Sequence, residues 1–477
     1  TLPPAQLSCR RRALPWRRSL LPSSTVQARS NIQDRIEASR AAETALDSSI
    51  QAAMRLPSAH VDVAIVGAGL AGLLVAAEFQ REDAAIAVLE RSSSVGGVWR
   101  HQANAFSRVN SSEPSYRLPV AKATPNTNHS HHSEMLADVL RLIEQNGLAS
   151  RIHIDTAVTA VVPAVTDWLI AARRNEQALQ LSCRMAVLCT NRRLGRPREM
   201  SVAGAEHFRG KIFRGLSGDV DALQCAGGRV VILGMGAFAI ENMRTCFERH
   251  AADVTILCRR TGTVCPQIVD WVNFIRTFDS TFKHEAAGDT VVLLHWHGIY
   301  DTSGARRPEC WMEGLLKPDG HTVSVSDLFF IANHMHMLRT MRGEVAAVDS
   351  STVRTCAGEA LEAKVLVKCI GFELNEGNER LLGRSRMSPT NMVAPNLWLQ
   401  IEAHLDSRTF SSPFGSSYLS GASFSIKVML EYWLNPALHA QLQHTALAPV
   451  RINTLSASES MQGLEGGDER ISQMLQQ

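Results

Sequence analysis

Residues 61–79 read VDVAIVGAGLAGLLVAAEF, and the order of residue types in that stretch decides the fold. Val61 to Val66 is a short, almost wholly apolar run, as a parallel strand buried on both faces requires. It leads straight into Gly67-x-Gly69-x-x-Gly72, and Leu73, Leu74, Ala77 and Phe79 then suit a helix packed on a sheet. Gly67 makes the tight turn, Gly69 lets a pyrophosphate approach the backbone, and Gly72 lets helix and strand pack closely. The N–H groups and dipole of the helix start, with Leu70 and Ala71 in its first turn, hold the phosphates. A second apolar run, residues 84–89, ends in Glu90 with Arg91 next to it. Glu90 stands where a carboxylate accepts hydrogen bonds from ribose hydroxyls. Three glycines alone would be weak evidence, but strand, turn, helix, strand and acid together specify a dinucleotide-binding unit.

The same logic returns at residues 227–246, GGRVVILGMGAFAIENMRTC. A strand precedes Gly234-x-Gly236-x-x-Ala239, with Ala237 and Phe238 between, and a helix comes after. Alanine serves in the third position, because that residue sets packing rather than phosphate contact. The next strand, DVTILCRR at residues 253–260, ends in Arg259 and Arg260 instead of an acid. Arginines there can pair with a 2′-phosphate, which makes the second site one for NADPH. The alternative reading is a solvated surface pair.

The residues after Glu90 bear on the identity of the first dinucleotide. ERSSSVGGVW, residues 90–99, places Gly96 and Gly97 in a loop beyond the ribose acid, where backbone without Cβ atoms can lie flat against a large cofactor. This E-x5-G-G-x-W after a glycine fingerprint resembles the flavin-containing and Baeyer–Villiger monooxygenases. The resemblance implies FAD at the first site, touched by Gly97, Val98 and Trp99, and NADPH at the second. It implies that NADPH reduces FAD, that oxygen then gives a flavin hydroperoxide, and that one oxygen atom passes to a small organic substrate. It assigns stabilisation of that intermediate to Asn110 in FSRVNSSEPSY; the bland reading of Asn110 is a turn cap beside Ser111 and Ser112. KVLVKCIGFELNE, residues 364–376, is similar to the strand that closes the FAD domain, with Gly371 in the cofactor-binding place. APNLWLQIEAHL, residues 394–405, is similar to the next strand.

The implied fold class is α/β: two Rossmann-like dinucleotide-binding domains, with the NADPH domain inserted into a discontinuous FAD domain. The expected divisions are an Arg-rich segment and linker at 1–58, FAD-binding parts at 59–216 and 352–444, the NADPH domain at 217–351, and a polar tail at 445–477. Strands at 186–189 and 364–370 are expected to lead out of and back into the FAD sheet. The resemblance covers residues 61–435. It fails in HFRGKIFRGLSGD, where Arg214 and Gly218 replace a histidine and an aromatic residue, so N- or S-oxygenation and Baeyer–Villiger chemistry both stay open.

Composition narrows the alternatives. The 477 residues, 45% hydrophobic and 20% charged, suffice for two or three domains with sizeable cores. Arg10, Arg11, Arg12, Arg17, Arg18 and Arg29 exceed the whole net charge of +3, so the remainder is mildly acidic and has no field to attract nucleic acid. Residues 1–33, acid-free and dotted with serines, have the composition of a mitochondrial or plastid transit peptide or of a disordered basic tail. The Ala-rich residues 33–60 show no clear apolar stripe and read as a linker or a docking helix. No 18-residue apolar run spans a bilayer. Ten cysteines without a C-x-x-C pair argue against a zinc ribbon or thiol–disulfide centre and suit reduced thiols of a soluble intracellular protein. Histidines at 129, 131 and 132 read as a solvated polar loop, and the pairs 295/297 and 334/336 lack a third ligand, so no metal is expected. Two rival functions survive: an NADPH-dependent flavin reductase or dehydrogenase without oxygen insertion, and a catalytically silent FAD-binding protein.

Overall fold

The structure is a computed structural model that describes residues 25–53, 55–109, 116–127, 129–191, 194–219, 225–261, 264–267, 302–308, 324–375 and 377–382. Beyond these it describes the short pieces 386–387, 392–394, 396–399, 426–427, 429–435, 437 and 450–451. The chain opens with α1 (Thr25–Ala53), then β1 (His60–Val66), α2 (Leu70–Arg81), β2 (Ile86–Leu89), α3 (Val98–His101) and α4 (His132–Gln145). It continues with β3 (Ile152–His153), β4 (Thr156–Pro163), β5 (Trp168–Arg174) and β6 (Gln177–Leu188). β1 pairs in parallel with β2 and β6, Val63 lying beside Ile86 and Met185. That interior position explains why β1 is apolar and buried from Val63 to Val66. α2 and α4 cover one face, burying Leu73, Phe79, Leu136, Val139 and Ile143 against Ile65 and Val88.

The second unit contains β7 (Lys211–Phe213), β8 (Arg229–Leu233), α5 (Ala237–Glu248), β9 (Asp253–Cys258), β10 (Val264–Cys265), β11 (Ser324–Val325) and α6 (Asp327–His334). After these come β12 (Leu338–Arg342), β13 (Val345–Val348), β14 (Thr352–Thr355), β15 (Ala360–Glu362) and β16 (Val365–Lys368). Five strands form a parallel sheet in the order β12-β9-β8-β16-β7, and β13 to β15 form a small antiparallel sheet. α5 packs Ile240 and Met243 on Ile232, Ile256 and Val367, with Phe329 of α6 in the same core. The remaining elements are α7 (Gly377–Leu382), β17 (Arg386–Met387), β18 (Met392–Ala394), β19 (Leu397–Leu399) and β20 (Val450–Arg451). β19 joins the first sheet beside β6, so the chain does return to its starting unit.

Two expectations need correction. The strand expected at 364–370 does not re-enter the first sheet: β16 lies between β8 and β7, with Leu366 beside Val231 and Ile212. An apolar strand buried on both faces suits the interior of either parallel sheet, so local sequence does not choose between them. The segment before residue 60 does carry a stripe. Ile32, Ile36, Ser39, Leu46 and Ile50 of α1 face inward at spacings of three, four and seven residues. Ile36 is buried in the core of the second unit, while Leu46 and Ile50 are buried in that of the first. α1 is therefore a docking helix. No helix among the described residues is long and apolar enough to cross a membrane.

Candidate functional site

The first glycine turn is shaped by what a side chain would strike. Gly67 has φ +105°, and a Cβ there would lie 2.9 Å from the Cys189 carbonyl oxygen; at Gly72 it would lie 1.9 Å from the Gly67 carbonyl oxygen. Gly69 is the extended N-cap of α2 and offers no side-chain acceptor, so first-turn N–H donors of Leu70 and Ala71 are left for a ligand. The loop of Gly96 and Gly97 lies directly on this turn. Gly96 N–H donates to the Ala68 carbonyl at 2.9 Å, and a Cβ on Gly97 would stand 3.0 Å from Gly69 Cα. Glu90, 8% exposed, accepts from Ala68 N–H at 2.8 Å through Oε2 and from Ser92 N–H at 2.9 Å through Oε1. Each carboxylate oxygen keeps a further lone pair for a ribose hydroxyl. Arg91 is exposed and Val98 half-buried. Trp99 is buried edge-on to Tyr116, its carbonyl accepts from His132 Nε2, and its indole N–H has no partner among the described residues. An uncapped helix, a Cβ-free cradle and a buried orphan donor fit the FAD expected here.

The second turn repeats the design. Gly234 has φ +96°, and its Cβ would stand 2.3 Å from the Cys369 carbonyl oxygen, as Gly67 faces Cys189. Gly236 is again an extended N-cap without a side-chain acceptor, and nothing lies within 4 Å of a Cβ placed on it. Ala237 and Phe238 are half-buried, while Ala239 is fully buried against the sheet. Gly371, exposed with φ +85°, comes after β16 and so belongs beside this turn; its neighbour Phe372 packs on Phe238 with ring centroids 5.4 Å apart. Arg259 and Arg260 are exposed just past β9. Sequence reading missed Arg342, which ends β12 beside Cys258 and donates from Nε to Thr261 Oγ1 at 2.9 Å. Parallel pairing brings the ends of distant strands together, and no local signal announces it. The three basic side chains fit a phosphorylated ribose.

Asn110 and residues 111–115 lie outside the described residues. The segment leading to them runs between the units. Ala105 and Phe106 are buried in the second core, and the Arg249 guanidinium sits 4.4 Å over the Phe106 ring. Ser107 Oγ accepts from Asn104 N–H at 2.9 Å and donates to the Glu241 carboxyl of α5. Arg108 and Arg35 of α1 both pair with Glu248 at the end of α5. Arg100 of α3 pairs with Asp47 of α1 at 2.9 Å and with Glu43 at 3.4 Å.

The histidine-rich stretch is not the solvated loop expected. His129 and His132 are buried, and burial pushes both pKa values down to about 4. His132 Nε2 donates to the Trp99 carbonyl and Nδ1 faces Ser39 Oγ, both at 2.6 Å, so a neutral ring is satisfied on both sides. Residues 295 and 297 lie outside the described residues; His334 Nδ1 accepts from Arg306 N–H and His336 Nδ1 faces Arg306 Nη1. Among the described residues no three His, Cys, Asp or Glu side chains gather as a metal set. Arg214, which departs from the family pattern, is exposed and pairs with Glu199 at 2.6 Å.

Comparison with known proteins agrees with this geometry. Residues 65–139 match the model of the NAD(P)-binding Rossmann-like domain. The chain is 30% identical over 216 residues to a Baeyer-Villiger monooxygenase of Streptomyces coelicolor, covering 44% of this chain and 40% of that one. It is 25% identical over 423 residues to neopentalenolactone D synthase of Streptomyces avermitilis, covering 77% and 67%. A flavin-containing monooxygenase, FMO GS-OX-like 4 of Arabidopsis thaliana, is 24% identical over 231 residues, 41% of this chain and 51% of that one. The chain thus spans about half or less of the length of two of these three relatives. A steroid monooxygenase bound to NADP has the same fold, with TM-score 0.58 and 15% identity over 80% of this chain and 89% of that one. So does OTEMO complexed with FAD and NADP, with TM-score 0.56 and 14% identity over 86% and 98%. The chain resembles the flavin-containing and Baeyer–Villiger monooxygenases in sequence and has their two-domain Rossmann fold.

Proposed function

We propose that the chain is an FAD- and NADPH-dependent monooxygenase that transfers one oxygen atom to a small organic substrate. One observation carries the reading: two uncapped glycine turns of matching geometry, one closed by the buried Glu90 and the other flanked by Arg259, Arg260 and Arg342. Two dinucleotides of different ribose chemistry suit an enzyme in which one delivers hydride and the other does the chemistry. FAD, when bound, supplies the redox chemistry with oxygen. Gly67, Gly69, Gly96 and Gly97 give it backbone to lie on, and Glu90 holds its ribose. Gly234, Gly236 and the helix start at Ala237 hold the NADPH pyrophosphate, and the arginines take its 2′-phosphate. The amide of Asn110 both donates and accepts, which suits it to hold the oxygen-bearing centre in place while water is excluded.

The division into FAD parts, an NADPH insert and terminal segments belongs to the same proposal, with β16 reassigned to the NADPH sheet. Organelle targeting by residues 1–33 rests on their arginine-rich, acid-free composition, and a fluorescent fusion of those residues tests it by its location. The function is tested with purified, FAD-loaded protein. NADPH oxidation, oxygen uptake, peroxide release and product are measured against a panel of ketones, sulfides and amines. The reading requires NADPH and oxygen to be consumed in equal amounts with an oxygenated product. NADPH oxidation that yields only peroxide on every substrate would make the chain a reductase, and no oxidation at all would leave a silent FAD-binding protein.

A further inference from the structure

Residues 214–219, the turn that leaves β7, cross α5 at close range, and one buried side chain sits in the crossing. Asn242 of α5 is 1% exposed, and its amide nitrogen donates to the Gly215 carbonyl at 3.0 Å and to the Phe238 carbonyl at 2.7 Å, with Cys369 Sγ at 3.5 Å. Phe238 belongs to the second glycine turn, and the Cys369 carbonyl fills the Cβ position of Gly234 in the same turn. Gly215 has φ +71°, and a Cβ on it would stand 2.6 Å from the Asn242 amide nitrogen, so conformation and close approach both call for glycine. Two residues on, Ser217 N–H donates to the Gln102 carbonyl of the first unit at 2.9 Å. Ser217 has φ +42°, a left-handed conformation that a non-glycine residue keeps only where its surroundings hold it. Gln102 ends α3, which starts at Gly97, and Gly97 lies on Gly69 of the first turn. Hydrogen bonds, short pieces of chain and close backbone contact therefore run unbroken from one nucleotide cradle to the other.

We propose that Asn242 is a positioning residue for hydride transfer between the two nucleotides: by holding the turn at Gly215 it fixes where the second cradle stands relative to the first. The inference rests on the reading above that NADPH reduces FAD. Hydride transfer needs donor and acceptor atoms within roughly 3–3.5 Å, and a misplacement of about 1 Å can slow such a step by about 100-fold. The two cradles belong to different sheets, so the separation of their ligands is set by what joins the sheets close to them. Asn242 suits that task. It lies beside the buried apolar Ala239, Ile240, Met243 and Cys246, where an amide is unfavourable unless it hydrogen-bonds. Its planar amide group carries two N–H donors, and it reaches the first turn of its own helix and the turn outside that helix at once. An apolar side chain of the same size would fill the space and hold neither.

Asn242→Ser tests this, because a serine hydroxyl bonds back to the Phe238 carbonyl four residues earlier but is too short to hold Gly215 as well. Gly215→Ala disturbs the same contact from the other side. Hydrogen–deuterium exchange of the full chain reads the tie without turnover: amides of residues 211–219 should exchange about tenfold faster in Asn242→Ser, as the loss of one hydrogen bond allows. Anaerobic rapid mixing of the FAD-loaded protein with NADPH reads the positioning. The limiting rate of flavin reduction should fall by about 10- to 100-fold, while the NADPH concentration giving half that rate changes by less than about twofold. Dithionite needs no second cradle and should reduce the flavin of variant and parent alike. Gly215→Ala should show the same split. Arg214→Ala, which alters an exposed side chain of the same turn and its pair with Glu199, should match the parent in both measurements. An Asn242→Ser protein with the parent's exchange over 211–219, or with the parent's limiting rate, overturns the inference, as does an Arg214→Ala variant slowed equally. If Asn242→Ser does not fold, Gly215→Ala decides on the same two measurements. A parent whose flavin NADPH does not reduce overturns the underlying reading instead, and the exchange comparison still decides whether Asn242 holds the turn.

Discussion

Glycine means different things at three positions that look alike in the fingerprint, and the distances separate them. At Gly72 a methyl group would stand 1.9 Å from a backbone oxygen, so Gly72→Ala cannot be accommodated without moving helix from strand. We expect it to cost more than the roughly 1–3 kcal/mol of ordinary overpacking and to yield little folded protein. Gly69 has φ −76° and ψ −179°, extended backbone that any residue adopts, and its Cβ would meet only Gly97 Cα at 3.6 Å. Gly69→Val should therefore fold yet lose its flavin, since the branched side chain takes the space of the pyrophosphate. Gly236→Ala has open space around its Cβ and should melt like the parent while binding NADPH more weakly. Melting curves with flavin absorbance check all three, and a fully yellow Gly69→Val variant would remove the FAD assignment. Spacing made these glycines legible, because each works on neighbours within a few residues. The close approach of Gly97 to Gly69 was legible only as a need for a Cβ-free loop, since its partner lies in another part of the chain.

Strands and helices show where legibility ends. β1, β2, β8 and β9 were readable from apolar runs next to glycine turns. The membership of β16 was not, because sheet order is set by contacts between distant segments. Ser39 and Glu43 interrupt the inward stripe of α1, and both interruptions have a reason: Ser39 meets His132 and Glu43 meets Arg100. A polar residue that serves a buried partner hides the helical period from any hydrophobicity count. Leu46, fully buried among apolar side chains, tests the docking directly: Leu46→Ala should destabilise the protein by about 2–5 kcal/mol in chemical denaturation. An effect near zero would mean α1 merely rests on the surface. The ends of β9 and β12 carry the coenzyme prediction. A charge-assisted hydrogen bond contributes roughly 1.5–3 kcal/mol, so replacing Arg259 and Arg260 by Ala should lower the NADPH-to-NADH ratio of kcat/KM by about 10- to 150-fold. Adding Arg342→Ala should lower it further. An unchanged ratio makes all three arginines surface residues.

Across the whole molecule, α1 and residues 104–109 carry contacts from the first unit to the second, and buried titratable groups lie beside them. The pH response comes from counting protons. Between about pH 4.5 and 6.5 the unfolded chain protonates His129 and His132, whereas the native rings, pushed down to about 4, stay neutral. A histidine whose pKa is lowered by folding contributes stability above its unfolded value and loses it as pH falls. Over the same interval Glu241, raised to about 7, holds a proton in the native state that the unfolded chain has lost. Two mismatched protons against one leave the unfolded state with about one more, so stability should rise with pH by about 1.4 kcal/mol per unit. His131 and His153, both lowered by burial, steepen the limb. From 6.5 to about 7 only Glu241 remains mismatched and the slope reverses weakly, its half-buried position making its share the smaller. The protein should thus be most stable near pH 6.5. Denaturant titrations at pH 5 and 6.5 should differ by about 2 kcal/mol in favour of the higher pH. Substituting both His129 and His132 by Gln removes two of the protons that drive this limb, so the variant's stability should rise with pH much less steeply than the parent's over the interval. A double variant that keeps the parent's slope would locate the acid sensitivity elsewhere and would make the buried histidines bystanders.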